Sequence, residues 1–186
     1  MMKYLISIYL WIAGSVSITL ILVIGIIFTC LFAPETYDPW FKKLLRLFFK
    51  ILHVKVITRG CEKLAQHGTY LFMPNHVSLF DLPLLGGYIP VFFRGVEAAY
   101  QFNWLLYGWF IRRYGNIPIE RNNIHRSITS IRMAEKSLRE GKSIAIMPEG
   151  HRTLDGKLGR FKKLPFFLAQ QAEVDIVPIG LSGLYK

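Results

Sequence analysis

The 186 residues are enough for one domain with a hydrophobic core and too few for two. Hydrophobic residues make up 52% of the chain and charged residues 19%, which excludes intrinsic disorder, and two cysteines exclude a disulfide framework. The net charge of +11 indicates a polyanionic partner, which is nucleic acid, anionic lipid or a phosphorylated substrate.

The sequence begins with a long apolar segment. No charged residue lies between Lys3 and Glu35, and a helix over residues 4–34 would be roughly 46 Å long, against roughly 30 Å of bilayer hydrocarbon. This pattern predicts a membrane anchor over residues 1–36. A signal peptide is the alternative, but its apolar region is shorter, roughly 7–15 residues. A kink, and with it a re-entrant hairpin, is allowed by three small residues, Gly14, Ser15 and Ser17.

An amphipathic helix is predicted next, over residues 37–53. Apolar residues recur at helical spacing from Phe41 to Leu52, and Asp38 and Pro39 fit an N-cap and a first-turn proline. Four cations occupy another side: Lys42, Lys43, Arg46 and Lys50. This predicts an interfacial helix with its cations against anionic lipid, the alternative being a core-packing helix with a solvated basic face. Cations after the anchor place the following domain in the cytoplasm by the positive-inside rule.

Strand-like and helix-like segments alternate over residues 54–186. This alternation predicts one α/β domain with a mostly parallel mixed sheet flanked by helices. Strands are predicted at Val54–Thr58, Tyr70–Met73, Val91–Arg94, Ile117–Glu120, Ser143–Met147 and Ile176–Leu181. The clearest helix runs from Ile124 to Glu140, with Gly141 placed as a C-terminal capping glycine. Its apolar stripe is Ile124, Ile128, Ile131, Ala134 and Leu138.

A histidine and an aspartate follow the strand predicted at residues 70–73. In α/β proteins the carboxyl ends of strands are where catalytic groups gather. His76 is suited to accepting and returning a proton, and Asp81 orients its ring if the four residues between them turn back as the start of a helix. A structural histidine is the alternative explanation of this pair.

Two further polar clusters carry arginines. One runs along the strand predicted at residues 117–120 and ends at Arg121, and the other follows the strand at residues 143–147 and contains Glu149, Gly150 and Arg152. The arginine side chain suits phosphate because its planar fork donates two parallel charge-assisted hydrogen bonds. Each cluster alone is also explained by a surface ion pair and a turn.

Together and in this order, these motifs resemble the glycerolipid acyltransferase family, especially bacterial 1-acyl-glycerol-3-phosphate acyltransferases, over about residues 70–182. Four segments carry the resemblance: Asn75-His76-x4-Asp81, Ile117–Arg121, Pro148-Glu149-Gly150-x-Arg152 and Val177-Pro178-Ile179. Glu120 stands where the family usually has Asp, and His151 where Thr is commoner. Family members usually continue past the fourth segment, so we expect either a short variant or a sheet without part of its C-terminal end.

The resemblance implies transfer of a fatty acyl group from a thioester, on coenzyme A or acyl carrier protein, to the hydroxyl of a lysophospholipid. It implies that His76 is the general base and that Asp81 orients it, with the substrate hydroxyl as nucleophile and Ser78 not catalytic. The acceptor site would comprise Asn75, Arg121, Glu149, Gly150 and Arg152, with the arginines on the phosphate and Glu149 holding Arg152 or a glycerol hydroxyl. The basic turn Lys162-Lys163 is a further candidate, although Leu164 follows it where Gly is common.

No cofactor and no metal site are expected, because the thioester is a co-substrate and no ligand cluster is visible. The expected partners are membrane lipids, the lysophospholipid acceptor and the acyl donor, without nucleic acid, at the cytoplasmic face of the inner membrane. Two alternatives remain. The same chemistry would act on another acceptor, such as another lysophospholipid, glycerol 3-phosphate or a lyso-amino-acid lipid, or the chain is a non-catalytic lipid-binding scaffold.

Overall fold

The computed structural model describes residues 2–65, 67–120 and 124–185. Its central sheet is built from β1 (Tyr70–Pro74), β2 (Phe93–Ala98), β3 (Ile117–Ile119), β4 (Ser143–Ala145) and β5 (Asp175–Ile179). The strands lie in the spatial order β3-β2-β4-β1-β5. Every pairing among the described residues is parallel, so the sheet is fully parallel where a mixed one was predicted.

The helices are α1 (Met2–Leu31), α2 (Pro34–Ile51), α3 (Asp81–Tyr88), α4 (Tyr107–Tyr114), α5 (Ile124–Arg139) and α6 (Leu164–Ala172). Helices α5 and α6 bury one face of the sheet, where Ala134 and Leu168 pack with Leu71 and Ile144. Helix α3 covers the other face through Leu85, which packs with Phe72. A parallel sheet is buried on both faces because its crossover helices lie there, and the α/β prediction is confirmed.

The predicted strand at Val54–Thr58 is wrong. Alternating β-branched residues favour an extended backbone, but a strand also needs a partner edge. This sheet ends at β3 and β5, and within the segment Val56 packs against the aromatic cluster under α2. Strand β2 (Phe93–Ala98) begins and ends later than the strand predicted at Val91–Arg94.

Helix α5 confirms the predicted helix, and its end is built as expected. Gly141 has φ 78°, and its amide and that of Lys142 donate to carbonyls of the last turn. The apolar stripe is only partly correct, because Ile128 is exposed and the side chain of Ile124 lies outside the described part of the chain. The buried side is completed by Ser127 and Ser130, whose hydroxyls donate to the carbonyls of Glu120 and Pro118.

Helix α1 is long and apolar enough to cross a bilayer. It is one continuous helix through Gly14, Ser15 and Ser17, so the re-entrant hairpin that a kink there would allow is not formed. Its first three turns are largely exposed, whereas Ile21 and Ile26 are buried against α2 and α4. Helix α1 therefore has an exposed apolar half and a half that packs on the rest of the protein.

Helix α2 differs from its prediction at its start and on its basic side. It begins at Pro34, so Asp38 lies inside the helix and is not the N-cap. Lys42 is buried and forms an ion pair with Asp38, and its ammonium also donates to the carbonyl of Val91 at 3.1 Å. Arg46 donates to the carbonyl of Gly87 at 2.6 Å. Two of the four predicted lipid-facing cations thus bind the protein itself.

Helices α2 and α3 approach each other closely. A Cβ added at Gly86 would lie 2.9 Å from Cδ1 of Leu45, so a larger residue there would force that side chain to move. The last turn of α3 exposes backbone carbonyls, which cations satisfy at helix C-termini. Arg46 supplies that cation from α2. The basic side of α2 is therefore used for helix packing.

Candidate active site

The predicted histidine and aspartate meet at the carboxyl end of β1. His76 Nδ1 lies 2.7 Å from Asp81 Oδ2. Asp81 is the first residue of α3, and its side chain is fully buried, whereas the His76 side chain is 13% exposed. The four residues between them turn back as predicted, because Asp81 Oδ2 also accepts hydrogen bonds from the amides of Val77 and Ser78, at 2.7 and 3.0 Å.

This contact indicates which ring nitrogen of His76 is available for the predicted proton transfer. A carboxylate oxygen is an acceptor, so the hydrogen bond places a proton on Nδ1 and leaves the Nε2 lone pair free to take one. Ser78 is not arranged as a nucleophile, since its hydroxyl oxygen accepts a hydrogen bond from the amide of Phe80 at 2.9 Å. The geometry fits a general base oriented by a buried carboxylate.

Glu149 holds the backbone of His76 in place. Its Oε1 accepts a hydrogen bond from the His76 amide at 2.7 Å, and its Oε2 accepts one from the Gly159 amide at 2.5 Å. On the other side, the Thr153 amide donates to the His76 carbonyl at 2.9 Å. The expected contact of Glu149 with Arg152 is absent among the described residues, because both carboxylate oxygens are turned toward backbone amides. Sequence reasoning missed this clamp, since its donors carry no side-chain signature.

Replacing Glu149 with Gln is expected to lower kcat by about tenfold or more with little change in KM for the acceptor. A glutamine has one acceptor oxygen, so its NH2 group faces the backbone N–H of either His76 or Gly159, which leaves that donor without its carboxylate partner. Steady-state kinetics measure this split, and Glu62→Gln, at an exposed carboxylate before β1, is the matched control. A higher KM at unchanged kcat would instead assign Glu149 to acceptor binding.

Of the other predicted site residues, Asn75 and Gly150 have structural roles, and the position of Arg121 is not described. The side-chain amide of Asn75 donates to the carbonyl of Leu181 at 3.0 Å and accepts from the Leu181 amide at 2.5 Å, so it ties β1 to the segment after β5. Gly150 has φ 77°, a conformation that side chains rarely adopt, in the turn after Glu149. Arg121 lies outside the described residues.

Three predicted cations lie on the loop after Glu149. Arg152 is exposed and borders a cavity of about 430 Å³ together with Thr153 and Leu158. The Lys162 amide donates to the carbonyl of Pro148 at 2.8 Å, which places its side chain beside Gly150. Lys163 precedes α6 and is exposed. The structure thus brings these cations to the carboxyl edge of the sheet, and their substrate contacts stay predictions.

A second buried carboxylate, Glu97, lies near the end of β2. Tyr107 and Asn116 donate to its two oxygens, and the Asn116 side-chain oxygen accepts a hydrogen bond from the amide of Gly95 at 3.0 Å. Burial raises the pKa of the Glu97 carboxyl, and the hydrogen bonds from Tyr107 and Asn116 oppose that shift. This network joins β2, α4 and the residue before β3. In the sequence Asn116 comes directly before the strand segment that ends at Arg121, but nothing there indicates Glu97 as its partner.

Comparison with known proteins gives one family. A family model described as Acyltransferase matches residues 55–182. The chloroplastic 1-acyl-sn-glycerol-3-phosphate acyltransferase LPAT1 of Arabidopsis thaliana is 28% identical over 97% of this chain and 52% of its own length. The lyso-ornithine lipid O-acyltransferase of Pseudomonas aeruginosa is 33% identical over 60% of this chain and 42% of its own length. The chain spans about half the length of such relatives.

The fold also matches a solved structure. The 1-acyl-sn-glycerophosphate acyltransferase PlsC of Thermotoga maritima superposes with a TM-score of 0.76, covering 94% of this chain and 72% of that one. The sequences are 23% identical. The likeness establishes that the arrangement of sheet and helices described above is shared.

Proposed function

The chain belongs to the acyltransferase family, and we propose that it transfers a fatty acyl group from an acyl thioester to the free hydroxyl of 1-acyl-glycerol 3-phosphate, giving phosphatidic acid. The observation that carries this proposal is the 2.7 Å contact between His76 Nδ1 and Asp81 Oδ2 at the carboxyl edge of the sheet. An aliphatic hydroxyl is a weak nucleophile and needs a base as it attacks. The oriented imidazole is suited to that role.

In the proposed reaction the acyl group passes directly from the thioester to the acceptor hydroxyl, without a covalent enzyme intermediate. The acceptor oxygen attacks the carbonyl carbon of the thioester while its proton passes to His76 Nε2. The tetrahedral intermediate then loses the thiolate, and the proton passes from the imidazole to the leaving sulfur. One C–O bond forms, one C–S bond breaks, and the products are an ester and a free thiol. Asp81 stabilises the imidazolium that exists between the two proton transfers.

Lysophosphatidic acid is the acceptor that the observations favour. The Arabidopsis relative is named for acting on it, and Arg152 offers an exposed cation at the cavity next to the His76 loop. A phosphate monoester binds well to arginine because the contact is charge-assisted and bidentate. Arg121 would add a second guanidinium. Either coenzyme A or acyl carrier protein would supply the acyl group, so the chain itself needs no resident cofactor for this proposal.

A second acceptor is favoured by a specific observation. The Pseudomonas relative, which is 33% identical over 112 residues, is named as an acyltransferase of a lyso-ornithine lipid. The purified full chain should therefore be assayed with lysophosphatidic acid, lyso-ornithine lipid, glycerol 3-phosphate and lysophosphatidylcholine, each with acyl-CoA and with acyl carrier protein. We expect the highest kcat/KM with lysophosphatidic acid.

A higher kcat/KM with lyso-ornithine lipid would keep the reaction and replace the acceptor. Binding of lysophosphatidic acid without turnover, with both donors present, would favour the non-catalytic scaffold over the enzyme. The His76→Ala variant serves as the blank in both cases, because it removes the proposed base while leaving the cavity beside Arg152 intact.

The proposal places this reaction at the inner membrane with the domain on the cytoplasmic side. The exposed apolar half of α1 would insert into the bilayer, because it carries no charged residue after Lys3, and the whole helix is long enough to cross the hydrocarbon. The cations that follow α1 include Lys43 and Lys50, which are exposed, whereas Lys3 alone precedes the apolar run. This asymmetry supports a cytoplasmic domain.

A further inference from the structure

The chain after Glu149 forms an exposed surface beside the candidate active site. Every residue from Leu154 to Lys163 is exposed. Exposed apolar side chains on this stretch and on the first turn of α6 are Leu154, Leu158, Phe161, Phe166 and Phe167. These five residues, with the four cations interspersed among them, are called the 154–167 surface below.

The 154–167 surface is also strongly basic. Its cations are Lys157, Arg160, Lys162 and Lys163. None of them forms an ion pair with a residue in the part of the chain that the structure describes. The single acid in the same stretch, Asp155, accepts hydrogen bonds from the amide of Lys157 and the hydroxyl of Thr153. The positive charge is therefore not neutralised locally.

The backbone holds these side chains outward. The Gly159 amide donates to Glu149, the Lys162 amide donates to the carbonyl of Pro148, and the Tyr185 hydroxyl donates to the carbonyl of Leu154 at 2.7 Å. A loop fixed at three points keeps its conformation, so its apolar side chains cannot fold back into the core. Leu154 is 94% exposed and Leu158 is 64% exposed. Leu154 and Leu158 lie at one cavity, and the rings of Phe161 and Phe166 stack with centroids 6.2 Å apart. Exposed apolar side chains grouped in this way mark an interaction surface.

We propose that the 154–167 surface docks on an anionic lipid bilayer. Its leucines protrude at the rim of the cavity that Arg152 lines, and fluid hydrocarbon accepts protruding side chains without a complementary pocket, whereas a folded partner protein needs one. Cations interspersed among apolar residues match a membrane surface, where the apolar groups enter the acyl boundary and the cations meet lipid phosphates. Helix α1, with its exposed apolar half, brings the same chain to a bilayer.

Docking would bring the proposed acceptor site against the membrane. The Thr153 amide holds the His76 carbonyl, and Leu154 and Leu158 border the cavity that Arg152 also lines. A lipid would then reach this cavity from the bilayer without crossing water. This inference deepens the proposed function, and its test measures lipid contact and not turnover, so that either one can fail alone.

The test places a fluorophore on the surface of the full-length chain. Cys30 and Cys61 are replaced with Ser, and Leu154→Cys is labelled with an environment-sensitive dye. The protein is reconstituted into vesicles of phosphatidylcholine, with and without phosphatidylglycerol, that carry nitroxide-labelled lipid. We expect a blue shift and strong nitroxide quenching in the anionic vesicles. Lys136→Cys, on the exposed side of α5 near the opposite edge of the sheet, should show neither.

Charge variants give the second measurement. Lys157→Gln with Arg160→Gln should lower the ratio of docked to undocked surface by roughly 30-fold, because each cation contributes a factor of about five at an anionic membrane. Lys55→Gln with Arg59→Gln, two exposed cations ahead of β1, should leave the quenching unchanged. Absence of quenching at position 154 in both vesicles would overturn the proposal. Shielding of that position by acyl carrier protein instead of lipid would also overturn it and assign the surface to an acidic protein.

Discussion

Replacing His76 with Ala should reduce kcat/KM for acyl transfer by about 10²- to 10⁴-fold, the usual contribution of a positioned general base. Asp81 binds the imidazole of His76 at Nδ1, and the backbone of His76 is held by Glu149 at its amide and by Thr153 at its carbonyl. Among the described residues at the end of β1, His76 is the one whose side chain is a titratable base bound to a buried carboxylate. The rate is measured with purified protein, lysophosphatidic acid and a labelled acyl thioester.

The control for this variant is His67→Ala. His67 is exposed in the turn before β1, so its removal should leave the rate unchanged. Thermal unfolding of both variants separates loss of the base from loss of the fold. An unaltered kcat/KM in folded His76→Ala would remove this histidine from the mechanism and would leave the hydroxyl without a base on the described part of the chain.

Replacing Asp38 with Ala should destabilise the protein by about 3–5 kcal/mol, because it leaves a buried ammonium without its counter-ion. Lys42 is buried beside Asp38, and the Tyr114 hydroxyl donates to the other carboxylate oxygen at 2.8 Å. Burial lowers the pKa of Lys42 although the Asp38 carboxylate raises it, so desolvation outweighs attraction at this site. Burial, with Asp38 adding to it, raises the pKa of Tyr114 well above its usual value. Denaturant unfolding in detergent measures the loss.

Two variants test this explanation. Glu35→Ala removes a carboxylate from the same helix whose ion pair with Arg94 is looser, at 3.7 Å, and half-exposed, so its cost should be less than about 1 kcal/mol. Asp38→Leu combined with Lys42→Met should recover most of the stability, since an apolar pair needs no counter-ion. A stable Asp38→Ala single variant would show that α2 does not depend on this ion pair.

The position of α2, which the Asp38–Lys42 ion pair stabilises, also affects the active site. Phe48 and Phe49 of α2 pack against Phe80, the residue before Asp81, with ring centroids 6.1 and 6.4 Å apart. Arg46 binds the last turn of α3, which begins at Asp81. Loosening of α2 is therefore expected to disturb the turn between His76 and Asp81. This links a helix that the sequence assigned to lipid with the orientation of the proposed base.

The sequence by itself determined the features that depend on local spacing. Alternation of apolar segments identified four of the five strands closely and α5. The x4 spacing of His76 and Asp81 allowed their contact on the condition that the four residues between them turn back, which they do. The charge-free run before Glu35 identified α1. Each of these features depends on a short stretch of sequence, because the spacing of apolar residues in helices and strands, and the residues of a short turn, are set by the local backbone.

Only the tertiary structure decided which partner each polar group takes. Lys42 and Arg46 have the spacing of a lipid-facing side, yet Lys42 is buried beside Asp38 and the Val91 carbonyl, and Arg46 donates to the Gly87 carbonyl in the last turn of α3. Glu149 and Asn75 were predicted to bind substrate, whereas their oxygens accept hydrogen bonds from amides more than 70 residues away in the sequence, at His76 and Leu181. The sequence alone does not distinguish whether a charged side chain binds lipid, substrate or backbone. The choice depends on which groups the completed sheet brings within 3 Å, and no local pattern contains that information.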